Sequence, residues 1–269
     1  CLKANGGTTS SNTDGTITST VQVNQDAGFS IVEWDGTGAI NTVGHGLSAA
    51  PELILIKSLD ITADWQVYHT SIGNGNKLGL NTTAAASSTT RWDSTSPTAT
   101  VFTLRDIGLG TEQIAYCFHS VENFSKIGSY TGNGSDNGPI VETGFEPAFL
   151  MIKRSSDTGN WLLHDNKRTS SATPHKLLFP NDSAAEQDKP YVNFLSNGFQ
   201  IIDASSQTGG TNYTINGSTY IYMAFAADPD TEAPTVAKSF STVAYTGTGS
   251  AQTISGLGFK PSFLWTKQT

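Results

Sequence analysis

Two tryptophan–histidine pairs are the features of the chain that most resemble catalytic machinery. Trp65 precedes His69, with Asp64 beside it, and Trp161 precedes His164, with Asp165 next in line. A histidine close to a carboxylate is a common arrangement for proton transfer. The Trp-to-His spacing is four residues in the first pair and three in the second. Side chains alternate across a strand, so this change sends the two histidines to opposite faces unless a bulge intervenes. One catalytic base cannot serve in both places, and the pairs read as aromatic and imidazole residues of half-buried strands.

Other candidate chemistries fail on similar grounds. Glu33, Asp35, Glu52 and Asp93 supply carboxylates for glycoside hydrolysis, which needs two of them at a fixed separation, but no later segment matches them. The five histidines lack the short spacing of a zinc site. Cys117 and His119 alternate on one strand face, yet the matching later positions are Ala224 and Ala226. Asp228-Pro229-Asp230 opens like a calcium loop without the ligands that should follow. No Gly-x-Ser-x-Gly elbow or phosphate-binding glycine loop occurs. The expectation is therefore no catalytic, cofactor-binding or metal-ligating residue, and no enzyme. What remains is aromatic contact. Trp92 lies in the polar run Thr89–Ser94, and Tyr191 follows Lys189-Pro190. Both are read as exposed rings suited to stacking on a glycan. Asn-x-Ser/Thr triplets, at Asn81 and Asn181 among others, are what a chain rich in Asn, Ser and Thr contains.

The elements that hold these residues repeat. Phe29-Ser30 leads to Trp34-Asp35-Gly36, Phe124-Ser125 to Tyr130-Thr131-Gly132, and Phe240-Ser241 to Tyr245-Thr246-Gly247. Each opening is followed by an apolar strand that runs from a proline to a lysine six residues on: Pro51 to Lys57, Pro147 to Lys153, and Pro261 to Lys267. The prolines are 147 − 51 = 96 and 261 − 147 = 114 residues apart, a repeat of about a hundred residues. Ile114–Phe118 closes the first copy and Ile221–Phe225 the second, while Cys1-Leu2 resembles Cys117-Phe118. The sequence thus reads as entering at the end of one repeat and leaving inside another. The divisions are 1–27, the end of a preceding repeat plus a linker; 28–123, repeat 1; 124–237, repeat 2 plus a linker; and 238–269, the start of repeat 3. Cys1 and Cys117, at equivalent positions of successive copies, are expected to be unpaired.

Each copy offers about seven short strands separated by turn residues such as Gly73-Asn74-Gly75 and Asn216-Gly217. No stretch keeps a 3.6-residue apolar period. The fold class is all-β: tandem antiparallel β-sandwich, jelly-roll-like repeats. Only 14% of residues are charged and the net charge is −8, which disfavours nucleic acid. No apolar run approaches the length that crosses a bilayer, so membrane insertion is not expected.

The run Gly28–Val32 to Val43–Leu47, Asp64-Trp65 to His69, and the closing Tyr220–Ala226 resemble a repeat module of tail-fibre-like and other virion proteins of tailed bacteriophages, of a marine type. The resemblance covers nearly the whole chain. It implies a virion structural or adhesion module, made in the host bacterial cytoplasm, that gives reach and makes weak multivalent glycan contact. It further implies self-association as a homotrimer beside other virion proteins. Two alternatives are a carbohydrate-binding module of a secreted bacterial enzyme or adhesin, and a capsid or tail structural protein without receptor binding.

Overall fold

The computed structural model describes residues 2–4, 7–168, 176–202, 213–226 and 240–266. The first part of the chain forms β1 (Ser10–Asn12), β2 (Ser19–Asn24), β3 (Phe29–Asp35), β4 (Ile40–Gly44), β5 (Leu53–Ser58), β6 (Gln66–His69), β7 (Asn76–Gly79), β8 (Ser87–Ser88), β9 (Val101–Arg105) and β10 (Glu112–Phe118). The second forms β11 (Ser125–Thr131), β12 (Ile140–Glu142), β13 (Pro147–Arg154), β14 (Trp161–Asp165), β15 (Lys176–Leu177), β16 (Gln187–Asp188), β17 (Val192–Leu195), β18 (Gly198–Ile201) and β19 (Thr219–Ala226). A single 3-10 turn, Thr70–Ile72, is the one helical element among the described residues.

The two copies are built alike. In repeat 1 the closing strand β10 lies between β3 and β5, and β6 and β7 extend the sheet. In repeat 2 the order is β11-β19-β13-β14. A smaller sheet packs over each main sheet: β4-β9 over the first and β12-β18-β17 over the second. All named strand pairs are antiparallel. These are antiparallel β-sandwich repeats, with strands where the alternating apolar rows and turn residues place them.

The segment expected to be a linker, Gly6–Asp26, instead carries β1 and β2, and β2 pairs with β3 from Thr20↔Glu33 to Asn24↔Phe29. Its alternating Val21 and Val23 cover the sandwich core, which a solvated tether would not do. Gly44 lets the two approach closely, because a Cβ there would displace the side chain of Asn12 in β1. The second linker, Ala227–Lys238, lies outside the described residues.

Register corrects one detail of the repeat. Phe118 pairs with Phe29, but its counterpart Phe225 pairs with Ser125. Six residues separate Phe124 from Tyr130, where five separate Phe29 from Trp34. Phe29 therefore corresponds to Ser125, and Trp34 to Tyr130. Lys57 and Lys153 are the penultimate residues of equivalent strands; Pro147 opens β13, whereas Pro51 sits two residues before β5.

The central strands are buried on both faces, which is why Leu53–Ile56 and Phe149–Ile152 are unbroken apolar runs. In β5, Ile54 and Ile56 point into the repeat 1 sandwich with Val32, Trp34 and Phe102, while Leu53 and Leu55 point the other way. In β13, Leu150 and Ile152 fill the repeat 2 sandwich, and Phe149 and Met151 point away from it. The outward-pointing sets meet each other. Leu53, Leu55, Phe118, Phe149, Met151, Phe225, Leu2 and Phe240 belong to one core, with Phe263 and Trp265 packed against it. All three copies contribute equivalent positions to it. The repeats are thus not beads spaced along tethers but share a three-way centre.

Candidate functional site

The sequence-predicted site residues are all in or beside these cores. Trp92 was expected on the surface, and the structure overturns that: it is 1% exposed. Asp93 and Ser94, with φ of 48° and 54°, turn the loop back left-handed, and the Thr95 amide donates to the Trp92 carbonyl at 2.9 Å. The indole then lies edge-on to Tyr68, centroids 5.5 Å apart, and its N–H donates to the Asn76 carbonyl at 2.8 Å. A polar run surrounds Trp92 because only this one side chain enters the sandwich. Tyr191 is likewise buried at 7%, tilted against Tyr213 at 5.2 Å, with the Lys189 ammonium 5.9 Å from its ring centre. Neither ring offers a free face to a sugar.

The two histidines occupy different register positions. His69 pairs with Leu53, and the counterpart of Leu53, Phe149, pairs with Asp165; His164 sits instead where repeat 1 has Tyr68. The altered spacing therefore does send them to opposite faces. His69 Nδ1 accepts from the Ser71 amide at 3.1 Å, capping the 3-10 turn. Burial pulls its pKa down to about 4, opposed by the Tyr222 backbone of repeat 2. His164 is held at 3.0 Å from the Tyr213 hydroxyl. Burial first, then the nearby Arg168 guanidinium, lowers it to about 3, against Asp165 and the Lys176 carbonyl. Both are buried imidazoles held neutral at ordinary pH. His45, also buried, bridges the Leu47 amide and the Thr98 carbonyl.

The carboxylates disperse. Glu52 accepts from the Ser120 amide at 2.6 Å, and Asp93 pairs with Arg105 at 2.8 Å. Glu33 and Asp35 do share a face, and Asp35 lies opposite Glu112 in the ladder. They rim a shallow open groove of about 310 Å³ that Leu59, Trp34 and Gln113 also line. Among the described residues, no three His, Cys, Asp or Glu side chains gather as a metal site. Cys117 is a free, fully buried thiol whose pKa burial raises; Cys1 lies outside the described residues.

What the repeat signatures do is hold the copies together. Asn81 accepts from the Trp65 amide at 3.0 Å and donates to Asp64 at 2.7 Å. Asn181 accepts from the Trp161 amide at 2.7 Å and donates to Asn160 at 2.9 Å. The Trp161 indole then donates across the repeat boundary to the Gly79 carbonyl at 2.9 Å. Lys153, fully buried, reaches the Thr83 carbonyl at 3.4 Å and its neighbour's, Arg154, at 2.6 Å. Burial is the main reason that its pKa falls to about 8. Two backbone bonds, Ala86 to Ser155 and Gly159 to Thr83, both 2.8 Å, complete this seam. Asn81 and Asn181 were legible only as glycosylation-like triplets; their unequal distances past the two tryptophans, 16 and 20 residues, hid the shared role.

The centre itself is aromatic. Phe118 of repeat 1 meets Phe225 of repeat 2 at 6.3 Å. Phe225 stacks on Phe240 of repeat 3 at 4.7 Å, and Tyr116 of repeat 1 meets Phe263 of repeat 3 at 4.6 Å. Every pair of repeats therefore touches here. Such an arrangement packs polypeptide against polypeptide.

A family model described as "Domain of unknown function (DUF7483)" matches residues 1–229. No curated protein and no solved structure matches the chain.

Proposed function

The chain belongs to the DUF7483 family, and we propose that it is a structural and adhesion module of a virion, part of a phage tail fibre or tail-associated protein, and not an enzyme. The observation that carries this reading is the three-way aromatic core, in which equivalent residues of successive repeats supply one another's missing contacts. A repeat whose sheet is sticky on its second face builds length by stacking, as solenoid-like proteins do. The burial of His69, Trp161 and His164 and the dispersal of Glu52 and Asp93 support a mechanical role over a chemical one. Weak host-glycan contact, assigned from sequence to Trp92 and Tyr191, would fall instead to the groove rimmed by Glu33, Asp35 and Glu112. Assembly as a homotrimer beside other virion proteins belongs to the same proposal, with contacts on the outer sheets, since the inner faces are covered within one chain.

The test is immunogold labelling of phage particles with antibody raised against the full chain. Label on tails supports the reading; label absent from purified virions, with the protein in the secreted fraction, would sink it in favour of a secreted carbohydrate-binding module.

A further inference from the structure

The turn Lys57–Trp65 recurs as Lys153–Trp161 without a gap, and each links a central strand to its neighbour, β5 to β6 and β13 to β14. In repeat 2 this turn is one half of the seam. Its Ser155 carbonyl accepts from the Ala86 amide and its Gly159 amide donates to the Thr83 carbonyl, both at 2.8 Å. The Trp161 indole reaches the Gly79 carbonyl, and the Lys153 ammonium reaches that of Thr83. All of these partners lie in the Gly79–Ala86 loop of repeat 1.

In repeat 1 the matching groups are bare. Among the described residues the Leu59 carbonyl, the Ala63 amide and the Trp65 indole N–H have no hydrogen-bond partner. The Lys57 ammonium turns back to the Ala63 carbonyl of its own turn at 2.5 Å. Leu59 is 54% exposed where its counterpart Ser155 is 3% exposed, and Ile61, two residues on, is 42% exposed. The other half of the seam also occurs twice. Lys77 pairs with Ser87 as Leu177 pairs with Gln187, and Asn81 and Asn181 hold the two tryptophan amides alike. The Gly79–Ala86 loop therefore corresponds to Phe179–Glu186. That second loop exposes Asp182, Ser183 and Ala185, and among the described residues its Ser183 carbonyl and Glu186 amide have no partner.

We infer that the Lys57–Trp65 turn of repeat 1 docks the Phe179–Glu186 loop of a second copy of this chain, so that the seam inside the molecule is repeated between molecules. The Ala63 amide then donates to the Ser183 carbonyl, the Glu186 amide to the Leu59 carbonyl, and the Trp65 indole to the Phe179 carbonyl. Each bond copies one already made between repeats 1 and 2. Leu59 and Ile61 lose their solvent contact in the joint, which supplies an apolar contribution that the internal seam lacks at Ser155 and Asp157. Turn and loop are different surfaces, so the contact is heterologous, and copies join head to tail into a ring or an open filament according to the rotation between them. The inference does not rest on the virion reading.

The experiment is sedimentation velocity on the full chain over a concentration series, with Ile61→Asp in the turn and Ala185→Asp in the loop. Both positions are exposed, so both variants should fold, which circular dichroism checks. The unaltered chain is expected to form larger species as concentration rises, and each variant alone to associate about tenfold more weakly or not at all. An equimolar mixture of the two variants retains one intact turn and one intact loop. It should therefore form a one-to-one complex and nothing larger. An unaltered chain that stays monomeric throughout, or variants that associate as it does, would overturn the inference. So would a mixture that remains monomeric while the unaltered chain associates, because the contact would then not be head to tail.

Discussion

Trp92 carries a large buried surface and one hydrogen bond, so its contribution is to the sandwich of repeat 1. Truncation of a buried tryptophan leaves a cavity and an unpaired carbonyl at Asn76, and Trp92→Ala should cost about 3–5 kcal/mol in urea unfolding. Loss of glycan binding with stability intact would return the residue to a surface role. The buried histidines determine the acid side of stability. Above pH 6.5 both are neutral whether folded or unfolded. As pH falls below 6.5 the unfolded chain takes up protons that folded His69 and His164 refuse down to about 4 and 3. Stability should therefore drop by roughly 1.4 kcal/mol per pH unit for each histidine in that window. His164→Gln, less stable than wild type at pH 8 through its altered contact with Tyr213, should lose stability less steeply, so the two curves converge toward pH 4. Parallel curves from thermal melts between pH 8 and 4 would show that His164 titrates normally.

Strands β6 and β14 start at asparagine clamps, and the clamps differ in consequence. The Asn81 contacts are solvent-exposed, whereas Asn181 is partly buried and orients Trp161, which crosses to Gly79. Loss of a partner costs more where the remaining donor cannot reach water. Asn181→Ala is expected to destabilise by about 1–2 kcal/mol, and Asn81→Ala by less, in chemical denaturation of the full chain. Equal effects would mean that the seam contributes nothing beyond the local turn. Lys153 belongs to the same seam: a charge held among carbonyls, at a cost that burial imposes and that the Thr83 contact partly offsets.

For the molecule as a whole, the shared centre makes the repeats interdependent. A fragment of residues 7–123 would expose Phe29, Leu53, Leu55 and Phe118 together, a contiguous apolar patch of the sort that drives association. It should bind a hydrophobic dye and self-associate in light scattering, while the full chain does neither to the same extent. A dye-negative, monomeric fragment would show that each sandwich suffices alone. This interdependence also shifts the adhesive-fibre reading: stiffness would come from repeat-to-repeat cores and not from the length of connecting segments.

Much of the architecture was determined locally. The alternation in Phe29–Trp34 and Ile114–Phe118, the glycine-rich turns and the proline-to-lysine spacing specify strands and their recurrence, because side-chain period and turn chemistry act over a few residues. The unbroken runs Leu53–Ile56 and Phe149–Ile152 read as apolar strands, and two-sided burial emerged with the fold. What covers the second face depends on residues a hundred or more positions away, such as Phe225 against Phe118 and Phe263 against Tyr116, and no local pattern encodes that distance. The same holds for Trp92, whose polar neighbours describe the loop but not the pocket beneath it, and for Val21 and Val23, whose surroundings read as a tether until β3 offered them an edge. Only the tertiary structure decided these, because burial is a property of where distant segments meet.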